Sequence, residues 1–221
     1  MAVIDVVIAQ PLIVGIGGFQ SNSGKTTLLC ELLRLIPGWE AIKTTRGHYR
    51  SCGKDPQSCC VSHLLGAEPI VHSHRDNTYA QGKDTGRYWE AGATNVHWVI
   101  GTDEQIAAGV TEALHRVKAP GVFIEGNSFS SSVKPDVMLM AVPINGATIK
   151  KSALNVLRGS CLIVLTNETL TPITEYERDS KVAWVNARMG ACVASSATVF
   201  CWQDLEQLAA RVSRLVPAFA A

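Results

Sequence analysis

The residues with the clearest chemistry are Gly24-Lys25-Thr26, inside the stretch GGFQSNSGKTTLLCELL at 17–33. An apolar run over 12–17 leads into a short polar turn, and an apolar-periodic segment follows it. A strand, a tight loop and a helix in that order aim backbone N–H groups at one point, where they and the helix dipole attract phosphate oxygens. Lys25 adds a point charge for β and γ phosphates, and Thr26 offers its hydroxyl to Mg²⁺. Ser21, Asn22, Ser23, Gly24, Lys25, Thr26 and Thr27 are therefore the expected phosphate-binding residues. Two positions depart from the G-x-x-x-x-G-K-[ST] pattern. Phe19 stands where the first glycine is usual, with Gly17 and Gly18 just before it. Asn22 stands where a third glycine is common, and Asn tolerates left-handed backbone better than most residues.

A magnesium site also needs a carboxylate at the end of a neighbouring strand. Glu125 ends the run 122–125, and Gly126 turns the chain. Parallel strands present their carboxyl ends on one face, so Glu125 is the expected metal partner of Thr26 and a candidate catalytic group. Asp136 precedes the run 137–142. It falls at the opposite end of its strand and is expected to be a surface or capping residue.

A second cluster lies downstream. Cys52, Cys59, Cys60 and His63 fall within twelve residues. Thiolates and imidazoles at that density suit Zn²⁺ or a softer metal. There is no Cys-x-x-Cys, so packed thiols with a surface histidine are the alternative. Cys30, Cys161, Cys192 and Cys201 border or occupy apolar elements and are expected to behave as small hydrophobes.

The elements that must hold these residues alternate. Strands are expected at 12–17, 40–44, 96–100, 122–125, 137–142, 162–166 and 192–200, rich in Val and Ile and mostly without polar alternation. Helices are expected at 25–36, 103–118, 174–190 and 204–215, the third opened by a Thr174/Glu177 capping box. This predicts an α/β domain over 1–221: a mostly parallel sheet with helices on both faces. Residues 45–95 break the rhythm and are expected to form a long Cys- and His-containing loop or insertion over the active face.

Bulk composition narrows the classes. The chain has 221 residues, 47% hydrophobic, with net charge +1. No long run of one charge suggests nucleic-acid binding or an electrostatic membrane anchor. No apolar run approaches the ~20 residues of a spanning helix. The N-terminus lacks a basic start and carries Asp5, so it reads as a strand rather than a signal peptide. A cytoplasmic protein is expected.

Several segments in order resemble the accessory GTPases of molybdopterin-guanine dinucleotide biosynthesis. That group belongs to the P-loop NTPase class that also holds dethiobiotin synthetase and the nickel and cobalt metallochaperone GTPases. The segments are SGKTTLLCELL (23–33), AIKTT (41–45), GKDTGRYWEAGA (82–93), VFIEGNSF (122–129) and CLIVLTNE (161–168). The resemblance implies Lys43 near the phosphates or an anionic substrate, and Lys83 and Asp84 on the same face. It also implies Glu125 at the metal, Asn167 near the nucleobase, and a homodimer. No Asn-Lys-x-Asp is present, only TNET at 166–169, so ATP and GTP both stay open.

Three functions follow. The first is Mg²⁺-dependent nucleoside triphosphate binding and hydrolysis by an accessory factor in molybdenum-cofactor or metal-centre assembly, working with a cofactor-assembly protein. The second is a small-molecule kinase or ligase of the dethiobiotin-synthetase type. The third is a nucleotide-gated binding module without significant turnover.

Overall fold

The computed structural model describes residues 10–47, 61–157, 159, 161–189 and 199–216. β1 (Leu12–Gly18) leads to α1 (Lys25–Leu35) and β2 (Glu40–Arg46). β3 (Ile70–Ser73), α2 (Arg75–Thr78) and α3 (Asp84–Glu90) precede β4 (Val96–Gly101). Next come α4 (Ile106–Arg116), β5 (Gly121–Glu125), β6 (Val137–Pro143) and α5 (Lys151–Leu157). β7 (Leu162–Thr166), α6 (Glu175–Met189), β8 (Val199–Phe200) and α7 (Leu205–Ser213) complete the order.

The eight strands form one sheet in the order β3-β4-β2-β5-β1-β6-β7-β8. β3 runs antiparallel to β4, and the other pairs are parallel. The expected α/β class with a mostly parallel sheet is observed. Val122, Phe123 and Ile124 are consecutive and each fully buried. Successive strand side chains point to opposite faces, so both faces of β5 are covered. α1 packs against both α3 and α7, while α4 packs on β2, β3 and β4.

Most strand positions match the expected ones within two residues. The expected strand at 192–200 appears only as Val199–Phe200, and residues 190–198 lie outside the described residues, as do the expected N-terminal strand residues 1–9. The Thr174/Glu177 capping box is present: the Thr174 N–H donates to Glu177 Oε2 at 2.9 Å, and the Glu177 N–H donates to Thr174 Oγ1 at 3.3 Å.

Residues 45–95 require a correction. They are not one long loop, because β3, α2 and α3 all fall within them. β3 has four residues and only one is fully buried, so it carries too little alternation to register as a pattern. α3 is the helix that the resemblance of 82–93 implies after Gly82-Lys83-Asp84, but with seven residues and Gly86 inside it the pattern alone gives little helical signal. That glycine serves close packing, since a Cβ there would sit 2.1 Å from the Ala80 carbonyl oxygen. α5 was likewise not anticipated; its seven residues fall short of the length at which periodicity is informative.

A buried polar network ties the amino ends of β2 and β4 to β3. His97 is fully buried, with Nε2 2.7 Å from Glu40 Oε2 and Nδ1 2.8 Å from Ser73 Oγ. Glu40 Oε1 accepts the backbone N–H groups of Lys118 and Ala119 at 2.9 and 3.0 Å. Burial alone would raise the Glu40 pKa, but the hydrogen bonds from His97, Lys118 and Ala119 outweigh it and hold it below its usual range. His97→Ala strands two buried polar groups and opens a cavity. It is expected to cost about 3 kcal/mol of stability in urea unfolding. A loss below about 1 kcal/mol would show that the network does not hold β3 in place.

Candidate phosphate and metal site

The site gathers at the carboxyl ends of β2, β5, β1 and β7. β1 delivers the chain to the loop at 19–24, and four tertiary contacts shape that loop. Asn127 pairs with Gly18 as an adjacent strand would: its Oδ1 accepts the Gly18 N–H at 2.8 Å and its Nδ2 donates to the Gly18 carbonyl at 2.9 Å. The Phe19 N–H donates to Ala141, and the Phe19 carbonyl accepts from Lys150. Thr166, at the end of β7, donates its hydroxyl to the Ser23 carbonyl at 2.9 Å.

The two unusual residues are explained by what they touch. Asn22 has φ 57° and Gly24 has φ 81°, so the expected left-handed geometry at Asn22 is observed. Phe19 is buried in the core, with its ring centroid 6.5 Å from that of Trp184 on α6. It anchors the loop by packing. Gly18 is needed for approach instead: a Cβ there would meet Ser23 Oγ at 2.0 Å.

α1 begins at Lys25 with no side-chain cap. Its first N–H groups have no intrahelical partner and carry the positive end of the dipole. Lys25 Nζ reaches the Gln20 carbonyl at 3.3 Å. Burial lowers its pKa, and Lys43 and Lys150 push the same way against the attraction of Glu125 and Asp84.

Thr26 stands between two carboxylates. Its Oγ1 is 2.9 Å from Glu125 Oε2 and 3.2 Å from Asp84 Oδ1. Lys43 Nζ bridges the same pair, 2.6 Å from Glu125 Oε1 and 2.6 Å from Asp84 Oδ2. The buried hydroxyl of Tyr88 also donates to Glu125. Burial, then the Glu125 charge, drives the Tyr88 pKa well above its usual value, so Tyr88 stays a donor. Burial opposes charge on Lys43, but the two carboxylates outweigh it and raise its pKa. Burial likewise opposes charge on Asp84, and Lys43 with its hydrogen bonds outweighs it and lowers its pKa.

One hydroxyl and two carboxylates around Thr26 suit a hard cation. Magnesium typically takes one or two carboxylates, substrate phosphates and waters. Among the described residues no group of three or more His, Cys, Asp or Glu comes together. The donor set fits magnesium shared with a phosphate and does not fit an all-protein metal cage.

The structure thus brings together Lys25, Thr26, Lys43 and Glu125 as expected from sequence. It adds Asp84 as a second carboxylate beside Thr26, a position the sequence reading did not give it. It also adds Tyr88, which is four residues past Asp84 on α3 and so shares its helix face. That spacing is the signal that was available. Asn127 and Thr166 had no such signal, since their partners lie on β1 and the loop. Thr27 accepts from Arg87 Nη2 at 3.2 Å, and exposed Ser21 accepts from Lys150 Nζ at 2.8 Å.

Asn167 does stand at the end of β7, beside Thr166. Its Nδ2 is committed to Thr171, at 2.9 Å from the carbonyl oxygen, while its buried Oδ1 has no partner. Only an acceptor is left for a base. Asp136 lies at the opposite end of the sheet, as expected, accepting the Ile13 N–H at 2.8 Å. His63 is exposed on a short helix over Ser62–Leu64, and Cys52, Cys59 and Cys60 lie outside the described residues. No described helix is long and apolar enough to cross a membrane.

A cavity of about 530 Å³ opens in front of the loop, reached by Lys25, Arg46 and Lys150. A second, of about 520 Å³, lies along β8 and α7 and shares no residue with this site. Val199, which lines it, directly follows undescribed residues, and it carries no functional reading.

No family model matches the chain, and the search of curated proteins returned no match.

Lys43→Met removes the cation shared by two carboxylates. It is expected to cost about 2 kcal/mol at pH 7, below the ~3–5 kcal/mol of a wholly buried pair because Asp84 is partly exposed. The lowered Asp84 pKa means its stabilisation is present above the usual carboxylate value and lost as pH falls below that value, through the folded pKa. Urea unfolding should therefore show the gap between wild type and variant largely holding from pH 7 to about pH 4 and narrowing below it. A constant gap would contradict the pairing. Phe19→Gly brings the loop nearer the common pattern yet empties a core position, and is expected to lower stability by about 3 kcal/mol. An unchanged unfolding midpoint would show that the ring is not an anchor.

Proposed function

We propose that this chain has the P-loop NTPase fold and binds a magnesium nucleoside triphosphate at Ser21–Thr27. The observation that carries the reading is the position of Thr26 Oγ1 between Glu125 and Asp84, beside Lys25 at the first turn of α1. Lys43 offsets one of the two carboxylate charges, and the charge left over would repel phosphate unless a metal cation joined it. The Thr26 hydroxyl oxygen suits that cation, and the positive helix N-terminus beside it attracts the phosphate.

The residues divide the work. The loop N–H groups and Lys25 hold the β and γ phosphates and meet the charge that develops as the γ-phosphoryl group moves. Thr26, Asp84 and Glu125 hold magnesium, which when bound draws charge from the phosphate oxygens. Tyr88 and Lys43 fix the Glu125 carboxylate from two sides, so it is oriented before the nucleotide arrives. Water is the nucleophile in the hydrolytic reading. An accessory role in molybdenum-cofactor or metal-centre assembly rests on the resemblance of the motif segments.

One observation favours a second reading, transfer to a small acceptor. The cavity beside Lys25 is large enough for a metabolite and abuts the place where the γ phosphate is proposed to lie.

Calorimetry with ATP and GTP, with and without Mg²⁺, tests the site. Lys25→Ala is expected to weaken triphosphate binding at least about a hundredfold, the loss of a charge-assisted contact in a partly buried site. Asp84→Asn should raise the Mg²⁺ concentration needed by about tenfold while sparing metal-free binding. Wild-type affinity indifferent to both Lys25 and Mg²⁺ would overturn the reading.

A further inference from the structure

The cavity in front of the loop has a composition that is informative by itself. Fifteen residues line it, and none has an apolar side chain. Two are glycines, six carry hydroxyls, three carry amides, three are cations and one is an acid. Ligand pockets are ordinarily lined mostly by apolar and aromatic groups. A wall built from polar side chains offers less to an alkyl chain or an aromatic ring than such pockets usually do. Its charges, Lys25, Arg46 and Lys150 against Asp103, leave it positive.

The hydrogen bonds already made say what kind of polar ligand fits. Ser130 Oγ donates to the Asn127 carbonyl at 2.8 Å, and Ser131 Oγ donates to the Ser128 carbonyl at 3.0 Å. With their protons committed, both hydroxyls have only acceptor capacity left for a ligand. The amide of Asn127 is likewise spent on Gly18 and Ser152. A bare anion brings only acceptors and would find no donor in those three side chains. A ligand bearing hydroxyls brings the donors it needs.

Arg46 supplies the opposite need. It ends β2, and Asp103 holds its guanidinium at 2.6 Å. Both side chains are well exposed, so the pair is weak and exchangeable. Lys25 follows β1, two strand positions away across β5, a lateral distance of about 10 Å. That is the length of a five- or six-carbon chain with one charged end.

We propose that this cavity binds a polyhydroxylated organic anion of sugar-acid or sugar-phosphate size. Its charged group lies at Arg46, its hydroxyls lie along Ser128–Ser131, and its far end faces Lys25. Asp103 parks Arg46 until the ligand arrives. The role of Lys25 here rests on the phosphate-loop reading; the rest of the cavity does not.

The test is calorimetry on the full chain with four probes, each with and without saturating Mg·ADP. Gluconate and glucose 6-phosphate are hydroxylated anions and separate a carboxylate from a phosphate source. Sorbitol has the hydroxyls without the charge, and hexanoate has the charge without the hydroxyls. At least one hydroxylated anion is expected to bind in both conditions, about tenfold or more tighter than sorbitol and hexanoate. Arg46→Gln should weaken it about tenfold, and Asp103→Asn, which frees Arg46, should tighten it severalfold. Failure of both hydroxylated anions to bind, equal binding of hexanoate, or indifference to Arg46 and Asp103 would overturn the proposal. Competition with Mg·ADP would also overturn it, by moving the anion to the loop, while leaving the nucleotide reading intact. Absence of any Mg·ADP binding would sink that reading instead, and the Arg46 and Asp103 variants would still decide the cavity.

Discussion

The arrangement depends on one buried carboxylate. Glu125 has 2% of its side chain exposed, and burying an unpaired charge that deeply is prohibitive. Three donors make it tolerable: Thr26 from α1, Lys43 from β2 and Tyr88 from α3. Each donor is thereby fixed relative to the others. A fourth contact secures the backbone, because Thr44 Oγ1 donates to the Glu125 carbonyl at 2.8 Å. The need to satisfy one charge therefore sets the spacing of three elements that are distant in sequence.

The same economy shapes the loop. A loop before Lys25 usually gains its turn from glycines. Here the turn is built from outside, by Asn127 on one side, Thr166 on the other and Phe19 beneath. Packing replaces local flexibility, and the cost of bulk at position 19 is offset by its burial against Trp184. Asn22 supplies the one left-handed residue that the turn still needs besides Gly24.

Charge on the ligand face is divided in space. Around Thr26 the carboxylates outnumber the cation bound to them, which suits a metal. In the cavity beyond Lys25 the cations outnumber the acid, which suits an anion. Lys25 lies between the two regions and feels both: burial, helped by Lys43 and Lys150, lowers its pKa against the opposing pull of Glu125 and Asp84. A lysine so placed responds to whichever neighbour is neutralised first.

The sequence by itself determined the α/β class, the parallel strands and the loop with Lys25 and Thr26, because those signals are local. Apolar runs of strand length, a capping box and a strand–loop–helix motif all act within a few residues. It also determined Glu125, because a carboxylate at the end of a buried run has one destination in a parallel sheet. Only the tertiary structure decided that Asp84 joins Glu125 at Thr26, that Tyr88 and Lys43 hold the carboxylates, and that Asn127 and Thr166 shape the loop. Those partners are 25 or more residues apart, and nothing in a local pattern fixes which strand ends meet. β3 and α3 escaped periodicity for the opposite reason, α3 being implied only by the resemblance of 82–93: they are too short for a repeat to separate them from a loop, and pairing with β4 and packing on α1 are what hold them.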